Sequence, residues 1–198
     1  PASAQFLVGF HGGWGSFTQE DLNAALKDFN NEAQTTVVDE LTGGLEYGAH
    51  IGWQLNDVTV IGAAWSRLQG NVSGRSGSTW LEGELPATCW LAFLNWLPGD
   101  GEVARLGLGA DVGWMVVDGW ISSRIAGYPQ VDHVYEGGGL FLSLYVVGDL
   151  VLGSGLSMVA EGGFRMAQVP DTKQDGESIN LDLDYSGLFA RVGLRFTP

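Results

Sequence analysis

The chain has 198 residues, 31 of them glycine and eight tryptophan, and 16% of the residues are charged. We predict one domain over residues 1–198, because this length is typical of a single domain. The formal net charge of −14 excludes binding to nucleic acid, whose phosphates require a basic patch. The single cysteine, Cys89, excludes an internal disulfide bond. No apolar run reaches the length of about 20 residues that a transmembrane helix needs.

The N-terminal part of the chain combines a strand pattern with a helix pattern. Pro1-Ala-Ser-Ala resembles the start of a mature chain from which a leader has been removed. Residues 5–14 alternate with period 2 and predict a first strand. Residues 18–31 predict a short helix with Thr18 as its cap and acidic residues in its first turn. Its apolar face has helical spacing and consists of Leu22, Ala25, Leu26 and Phe29.

Seven further segments alternate with period 2 and are predicted to be strands: residues 41–55, 58–68, 80–96, 103–117, 135–147, 155–167 and 184–196. Pro86 lies inside one of them and indicates a bulge. Short turns are predicted at Asn56-Asp57, at residues 98–101 and near Gly148-Asp149 or slightly later. The remaining connections are long and alternate with the short ones: residues 15–40, 69–79, 118–134 and 168–180.

This alternation of long loops and short turns over eight strands is typical of a transmembrane barrel. The face of each strand opposite the apolar row is rich in glycine, which does not suit a water-facing surface. Aromatic residues fall at two levels near the strand ends, as in the girdles of membrane barrels: Phe6, Trp14, Trp53, Trp96, Trp114, Phe164 and Phe196. We therefore predict an all-β fold, an eight-stranded antiparallel up-and-down transmembrane β-barrel with a short amphipathic helix in its first long loop. A soluble lipocalin-like barrel is the alternative.

The chain resembles the eight-stranded outer-membrane barrels of the OmpA/OmpX/OmpW type. The resemblance covers the whole chain and rests on the strand count, the loop asymmetry, the girdles and Phe196. Phe196 is similar to the terminal aromatic residue that the outer-membrane assembly machinery reads, although Thr197 and Pro198 follow it here. The resemblance implies a location in the bacterial outer membrane of a Gram-negative cell, in contact with membrane lipid. An even strand count then places both termini on the periplasmic side.

Charged residues on the glycine-rich faces predict a polar lumen: His11, Glu46, Arg67, Glu82, Glu84, Arg105, Asp111, Glu161, Arg165, Arg191 and Arg195. We expect Glu161 and Arg191 to form a cross-strand pair near His11 and Glu46. Asp111 and Arg165 are expected in a higher layer, and Arg67, Glu82 and Glu84 at the outer mouth. Lumen glycines are expected to make room for the arginines and for Trp65, Trp90 and Phe141; a small open cavity is the alternative.

Paired charges that neutralise one another are the simplest interpretation of this lumen, because an eight-stranded barrel is just wide enough to be filled by side chains. The alternative is a proton- or cation-sensitive gate that uses His11 and Glu46. The helix is interpreted as a lid over the barrel mouth; the alternatives are a docking site for another protein or contact with the outer leaflet of the membrane.

The predicted function is a non-enzymatic structural anchor, or a binding or assembly partner of another envelope protein through the loops and the helix. The alternative is binding or passage of a small hydrophobic molecule through a partly open lumen. A lipid-modifying enzyme is a lower alternative, because no serine and histidine share an outward face. We predict no cofactor and no metal, since no zinc-like Cys/His spacing is present.

Overall fold

The structure is a computed structural model that describes residues 4–98, 101 and 103–198. The first three residues of the predicted chain start, and Gly99 and Asp100 of the predicted turn at 98–101, lie outside these residues. The described part contains helix α1, Glu20–Glu32, and the strands β1 Gln5–Ser16, β2 Gly43–Asn56, β3 Thr59–Leu68, β4 Asn71–Ser76, β5 Thr79–Glu84, β6 Ala87–Trp96, β7 Ala104–Arg124, β8 Val131–Gly153, β9 Leu156–Val169, β10 Lys173–Gln174, β11 Glu177–Ser178, β12 Leu183–Asp184 and β13 Gly187–Phe196.

Eight of these strands form a closed antiparallel ring in the order β1-β2-β3-β6-β7-β8-β9-β13. Strand β13 pairs back onto β1, from Val8 opposite Phe196 to Gly15 opposite Phe189, and so closes the barrel. The ring satisfies the backbone hydrogen bonds of both terminal strands and leaves no open edge. The predicted eight-stranded barrel with one short helix is confirmed.

The strands extend further at one end of the barrel than the sequence pattern indicated. Residues 118–134 were predicted to be a loop, but β7 and β8 continue through most of them as a hairpin. Strand β5 pairs with β7, and β4 pairs with β5. On the other side, β10 pairs with β8, and β11 pairs with β10. These strands together form a sheet above one side of the barrel, which we call the outer sheet.

The predicted strand over residues 80–96 is wrong as a single element. It is split at Leu85-Pro86 into β5, which belongs to the outer sheet, and β6, which belongs to the barrel wall. Proline has no N–H to donate to a ladder, so it stands at the break between the two pairings. The turn predicted near Gly148-Asp149 is at Ser154-Gly155, where Gly155 has a φ of +78°.

Two apolar clusters fill the barrel at different levels. The larger lies towards the long loops and includes Leu68, Leu85, Met115 and Phe141, together with residues of α1. The smaller lies towards the short turns and includes Leu7, Val60 and Val147. Within the described residues, no helix is both long and apolar enough to span a membrane.

Candidate functional site

A layer of buried charges lies between the two apolar clusters, and Arg191 is at its centre. Its guanidinium Nη1 is 3.2 Å from Glu46 Oε1, and Nη2 is 3.0 Å from Asp111 Oδ2. Its Nε donates to Glu161, the residue directly opposite on β9, in the pair expected from the sequence. We call Glu46, Asp111, Glu161, Arg165 and Arg191 the middle charge layer. One arginine therefore joins carboxylates from three different strands.

Arg165 completes this layer from β9 and is 1% exposed. Its Nη1 donates to Glu46 Oε2 at 2.7 Å, and its Nε donates to the backbone oxygen of Tyr185 at 2.8 Å. The guanidinium also lies 5.4 Å from the centre of the Phe17 ring. The expected higher layer of Arg165 with Asp111 is wrong, because Asp111 bonds to Arg191 while Arg165 bonds to Glu46.

Neutral polar groups hold Asp111 in place from the neighbouring strand. Ser143 Oγ donates to Asp111 Oδ2 at 2.9 Å, and the Tyr145 hydroxyl donates to Oδ1 at 2.8 Å. The Tyr145 hydroxyl also lies 2.8 Å from Asn95 Oδ1. The sequence analysis did not predict Asn95, Ser143 or Tyr145 as lumen residues. Ser143 and Tyr145 could have been found, because they alternate with period 2 from Phe141 and so face inward on the same strand.

A second ionic group closes the lumen towards the short turns. Asp149 accepts hydrogen bonds from both Arg105 and Arg195, and Arg105 Nη1 also donates to the Asp57 carbonyl oxygen at 3.0 Å. Asp149 was not among the predicted residues. With it, four arginines in the lumen face four carboxylates, so that the lumen charges balance.

The two lumen histidines are stacked beside the middle charge layer. The rings of His11 and His50 are 6.4 Å apart and nearly parallel. His11 Nε2 lies 3.1 Å from Ser66 Oγ and 4.0 Å from Glu46 Oε1. The cavity beside these rings has a volume of about 20 Å³, which is room for about one water molecule. The lumen is therefore filled at this level.

Glycines make this packing possible. A Cβ on Gly48 would be 2.6 Å from His11 Nε2, and a Cβ on Gly15 would collide with the guanidinium of Arg165. The lumen glycines thus occupy positions where ring and guanidinium groups lie directly against the backbone. This arrangement agrees with the expectation that they make room for larger side chains.

Five residues predicted in the lumen are not there. Glu82 and Glu84 are exposed on the outward face of the outer sheet. Arg67 shares the outward face of β3 with Trp65, because the inward positions are Ser66 and Leu68. Trp90 is 63% exposed and directly opposite Trp65. Most side chains that β6 turns inward are apolar instead, and Asn95 is the polar one; the apolar ones include Cys89, Leu91 and Phe93.

The outward face carries the aromatic residues predicted for the girdles. All seven are between 43% and 54% exposed: Phe6, Trp14, Trp53, Trp96, Trp114, Phe164 and Phe196. Trp65 and Trp90 extend the girdle nearer the long loops. They lie side by side with Trp114 on the three adjacent strands β3, β6 and β7.

Helix α1 covers the long-loop end of the barrel. Leu22 and Leu26 are 2% and 3% exposed and belong to the larger apolar cluster, and Phe29 packs against it. Ala25 was predicted on the same face but is exposed, because the buried stripe is narrower than the apolar pattern. The helix begins at Glu20 and not near residue 18; the predicted cap, Thr18, donates to the Ser186 carbonyl oxygen.

Two asparagines fasten the following segment to α1. Asn23 Oδ1 accepts from the Leu41 N–H at 2.7 Å, and its amide donates back to the Leu41 carbonyl oxygen. Asn30 Oδ1 accepts from Val37 and Val38, and its amide donates to the Val38 carbonyl oxygen at 2.8 Å. Each asparagine side chain thus both donates to and accepts from the backbone of this segment, as a neighbouring β-strand would. We call α1 and residues 33–42 the cap.

The charged side chains of the lumen form ion pairs and hydrogen bonds with one another, and they lie beneath the cap. Among residues 4–98, 101 and 103–198, no group of three or more His, Cys, Asp or Glu side chains is arranged to hold a metal ion.

No protein-family model matches the chain, and no curated protein matches its sequence. Solved structures do match over the full length. A major outer membrane protein from Thermus thermophilus is 10% identical, covers 100% of both chains and has a TM-score of 0.66. Neisserial surface protein A is 12% identical, also covers 100% of both chains and has a TM-score of 0.53. At these identities the likeness concerns the fold, and the chain has the fold of the eight-stranded outer-membrane barrels.

Proposed function

We propose that this protein is an integral, non-enzymatic protein of the bacterial outer membrane, which anchors an acidic cap and outer sheet for binding to another envelope component. The observation that carries this proposal is the reversed polarity of the barrel. Its interior is a balanced charge network, whereas its outward wall is apolar. Such a wall is stable next to lipid and costly next to water.

The outward residues between the two girdles support the membrane location. Leu144, Leu188 and Phe10 are 72%, 66% and 65% exposed. They belong to a belt around the barrel and not to a local patch, since every wall strand contributes apolar outward residues. In water this belt would cause aggregation.

The position of the chain ends supports an orientation with both termini in the periplasm. Gln5 pairs with Gln54 next to the short turn at Asp57-Val58, and Phe196 pairs with Val8 at the same end. Short turns face the periplasm in membrane barrels, and long loops face the exterior. The cap and the outer sheet are therefore proposed to face outwards.

The filled lumen counts against passage of a small hydrophobic molecule. Such a molecule would have to displace both the apolar cluster under the cap and the middle charge layer. Breaking one buried ion pair alone costs about 3–5 kcal/mol.

The cap surface suggests the kind of partner. Glu20, Asp21, Asp28 and Glu32 of α1 are exposed, and the helix has Lys27 as its only basic residue. A partner with a basic surface would be drawn to this end of the molecule. The buried face of α1 is already occupied, so binding would use its polar side.

A topology experiment tests the location and the orientation. A protease site inserted at Tyr128, in the exposed β7–β8 turn, should be cut in intact cells, whereas a site appended after Pro198 should be cut only after the outer membrane is opened. The reverse pattern would refute the orientation, and recovery in the soluble fraction would refute the location.

A photo-reactive residue at exposed Ala25 tests the binding role. It should cross-link an envelope component in cells, and the double charge reversal Asp28→Lys and Glu32→Lys should abolish the adduct. The same probe at Ile51, on the barrel wall, is the control and should not give that adduct. Absence of an adduct at Ala25, or lipid turnover by the purified protein, would count against a non-enzymatic binding role.

A further inference from the structure

The outward wall of the barrel is not uniform around its circumference. Strand β8 carries no aromatic residue on its outward face between Leu140 and Leu150. At the short-turn end, the adjacent strands β7, β8 and β9 have Leu106, Leu150 and Met158; of the other five wall strands, β1, β2, β6 and β13 have aromatic residues and β3 has Ile61. Aromatic girdles form where a barrel meets the lipid interface. Their absence from the short-turn end of three adjacent strands marks a sector that suits contact with protein; Phe164 on β9 belongs to the girdle at the other end.

The same sector has a ridge with a hollow on each side. Leu144 and Phe164 are cross-strand neighbours, and both project outwards. On one side, small Ala92 and Ala110 form part of a hollow of about 540 Å³. On the other side lies a hollow of about 470 Å³, lined largely by small residues that include Gly148, Ala160 and Gly162. A ridge beside a hollow at the same level is self-complementary under two-fold rotation.

Charges of both signs lie on the strands that extend beyond this sector, and exposed Asp118 of β7 lies on the other side of Glu136 from Lys173. Lys173 and Glu136 are directly opposite in the pairing of β10 with β8, and both are exposed on the outward face. Neither makes an ion pair within the described part of the chain. A two-fold axis between them would place Lys173 of each copy against Glu136 of the other.

We propose that the β8–β9 wall joins two copies of this chain in the plane of the membrane through a two-fold symmetric contact. The ridge at Leu144 and Phe164 of each copy fits into the hollow at Ala92 and Ala110 of the other. Close packing of small and large side chains stabilises contacts between protein surfaces inside a bilayer, where the hydrophobic effect contributes little. This inference rests on the proposed membrane location but not on the proposed binding role of the cap.

Site-specific cross-linking in native membranes tests the contact. In a Cys89→Ala background, Leu144→Cys should give a cross-linked dimer with a short bismaleimide. The matched control, Ile51→Cys on the opposite wall, should remain monomeric; Ile51 is 48% exposed. Equal cross-linking at the two positions, or none at Leu144→Cys, would overturn the proposal. Recovery of the chain in the soluble fraction instead of the membrane fraction would show failure of the location, and this readout is separate from the cross-linking.

Filling the hollow provides an independent measurement. Ala110→Trp should shift the particle in lipid nanodiscs from the mass of two chains to that of one, by removing the space for the ridge. Ala63→Trp, an exposed alanine on β3, should leave the dimer intact. A wild-type monomer that retains a tightly bound lipid, or a complex with a different protein at this wall, would show another occupant and overturn the proposal.

Discussion

Arg191 shows how one side chain can organise a barrel interior. Its three nitrogen atoms contact carboxylates from β2, β7 and β9. Such a group is costly to bury alone and stable only when every charge has a partner. Removing one carboxylate should therefore have an effect that depends on how many arginines it serves.

Glu46 serves two arginines and Glu161 serves one. We expect Glu46→Gln to lower the free energy of unfolding by about 3–5 kcal/mol. Glu161→Gln should lower it less, because Arg191 keeps two carboxylates. Urea unfolding in lipid vesicles, followed by tryptophan fluorescence, measures the free energy of unfolding of both variants. Glu82→Gln is the control, because Glu82 is exposed and its replacement should leave this free energy unchanged. A larger loss for Glu161→Gln would contradict the assigned pairing.

Gly48 provides a steric test at the same scale. A Cβ there would meet the Trp65 carbonyl oxygen and the His11 ring, whereas a Cβ on Gly12 would meet only the Glu46 carbonyl oxygen at 3.9 Å. We expect Gly48→Ala to destabilise the barrel by about 1–3 kcal/mol, the usual cost of overpacking. Gly12→Ala should be tolerated in the same unfolding measurement. Equal stability of the two variants would show that the lumen has free space beside His11.

At the level of elements, the cap is held by side chains that replace a missing strand. Asn23 and Asn30 lie seven residues apart on α1 and face the same segment, residues 37–41. Their amides satisfy backbone groups that would otherwise be buried without a partner. These hydrogen bonds hold the two parts of the cap together, and Leu22 and Leu26 pack the cap against the barrel.

Asn30→Ala should loosen this segment. Loss of the bonds to Val37 and Val38 removes about 1–3 kcal/mol of local stability, so the amides of these two residues should exchange with deuterium faster. Asn31→Ala is the matched control, since Asn31 is exposed and its side chain makes no hydrogen bond to the described residues. Unchanged exchange at Val37 and Val38 would contradict the role of Asn30.

The β10–β11 hairpin is held to β8 by a titratable contact. The His133 ring donates to Asp175 Oδ2 at 2.7 Å, and the Val134 N–H donates to Oδ1 at 2.9 Å. These hydrogen bonds, with that from His133 the larger cause, lower the pKa of Asp175. A lowered pKa means that the charged carboxylate stabilises the docked hairpin.

This stabilisation is therefore present above the ordinary Asp pKa of about 3.9 and is lost as the pH falls through the lowered value. We expect the Val134 amide to become less protected from hydrogen exchange over that acidic range. Asp175→Asn should remove the pH dependence. If protection at Val134 is constant with pH in the unaltered chain, the contact does not hold the hairpin.

For the whole molecule, the lumen is closed at more than one level. The cap and the larger apolar cluster close the long-loop end, and the middle charge layer and the Asp149 group close the rest. Removal of one barrier should not open a path. This redundancy favours the proposed anchoring role over a gated channel.

Deletion of residues 20–40 tests the redundancy. We expect the shortened protein to have the same absent or negligible conductance in planar bilayers as the complete chain, because Arg165 and Arg191 still bridge the strands. The complete chain measured in parallel is the reference. Steady channel conductance after the deletion would show that the cap alone closes the barrel.

Much of the architecture could be predicted because it depends on local pattern. Strong contrast between the apolar and glycine-rich rows of β2, β7 and β13 predicted both the strands and their outward faces. The same contrast is missing in β6, where Leu91 and Phe93 on one face oppose Trp90 and Leu94 on the other. Period 2 shows that such a strand has two faces but cannot show which one faces inwards.

The sequence by itself determined the number of wall strands, the alternation of long and short connections and the arginines and carboxylates of the lumen except Asp149, although it also placed Arg67, Glu82 and Glu84 there. Only the tertiary structure decided the partners within it. Arg191, Glu46 and Asp111 are far apart in the chain and meet because strand register and barrel stagger bring their levels together. The register also turned Arg67 and Trp90 outwards, because a side chain's face follows from its neighbours in the sheet. Period-2 patterns are local and so predict strands and connections. The partners and the inward or outward faces of side chains depend on long-range strand pairing.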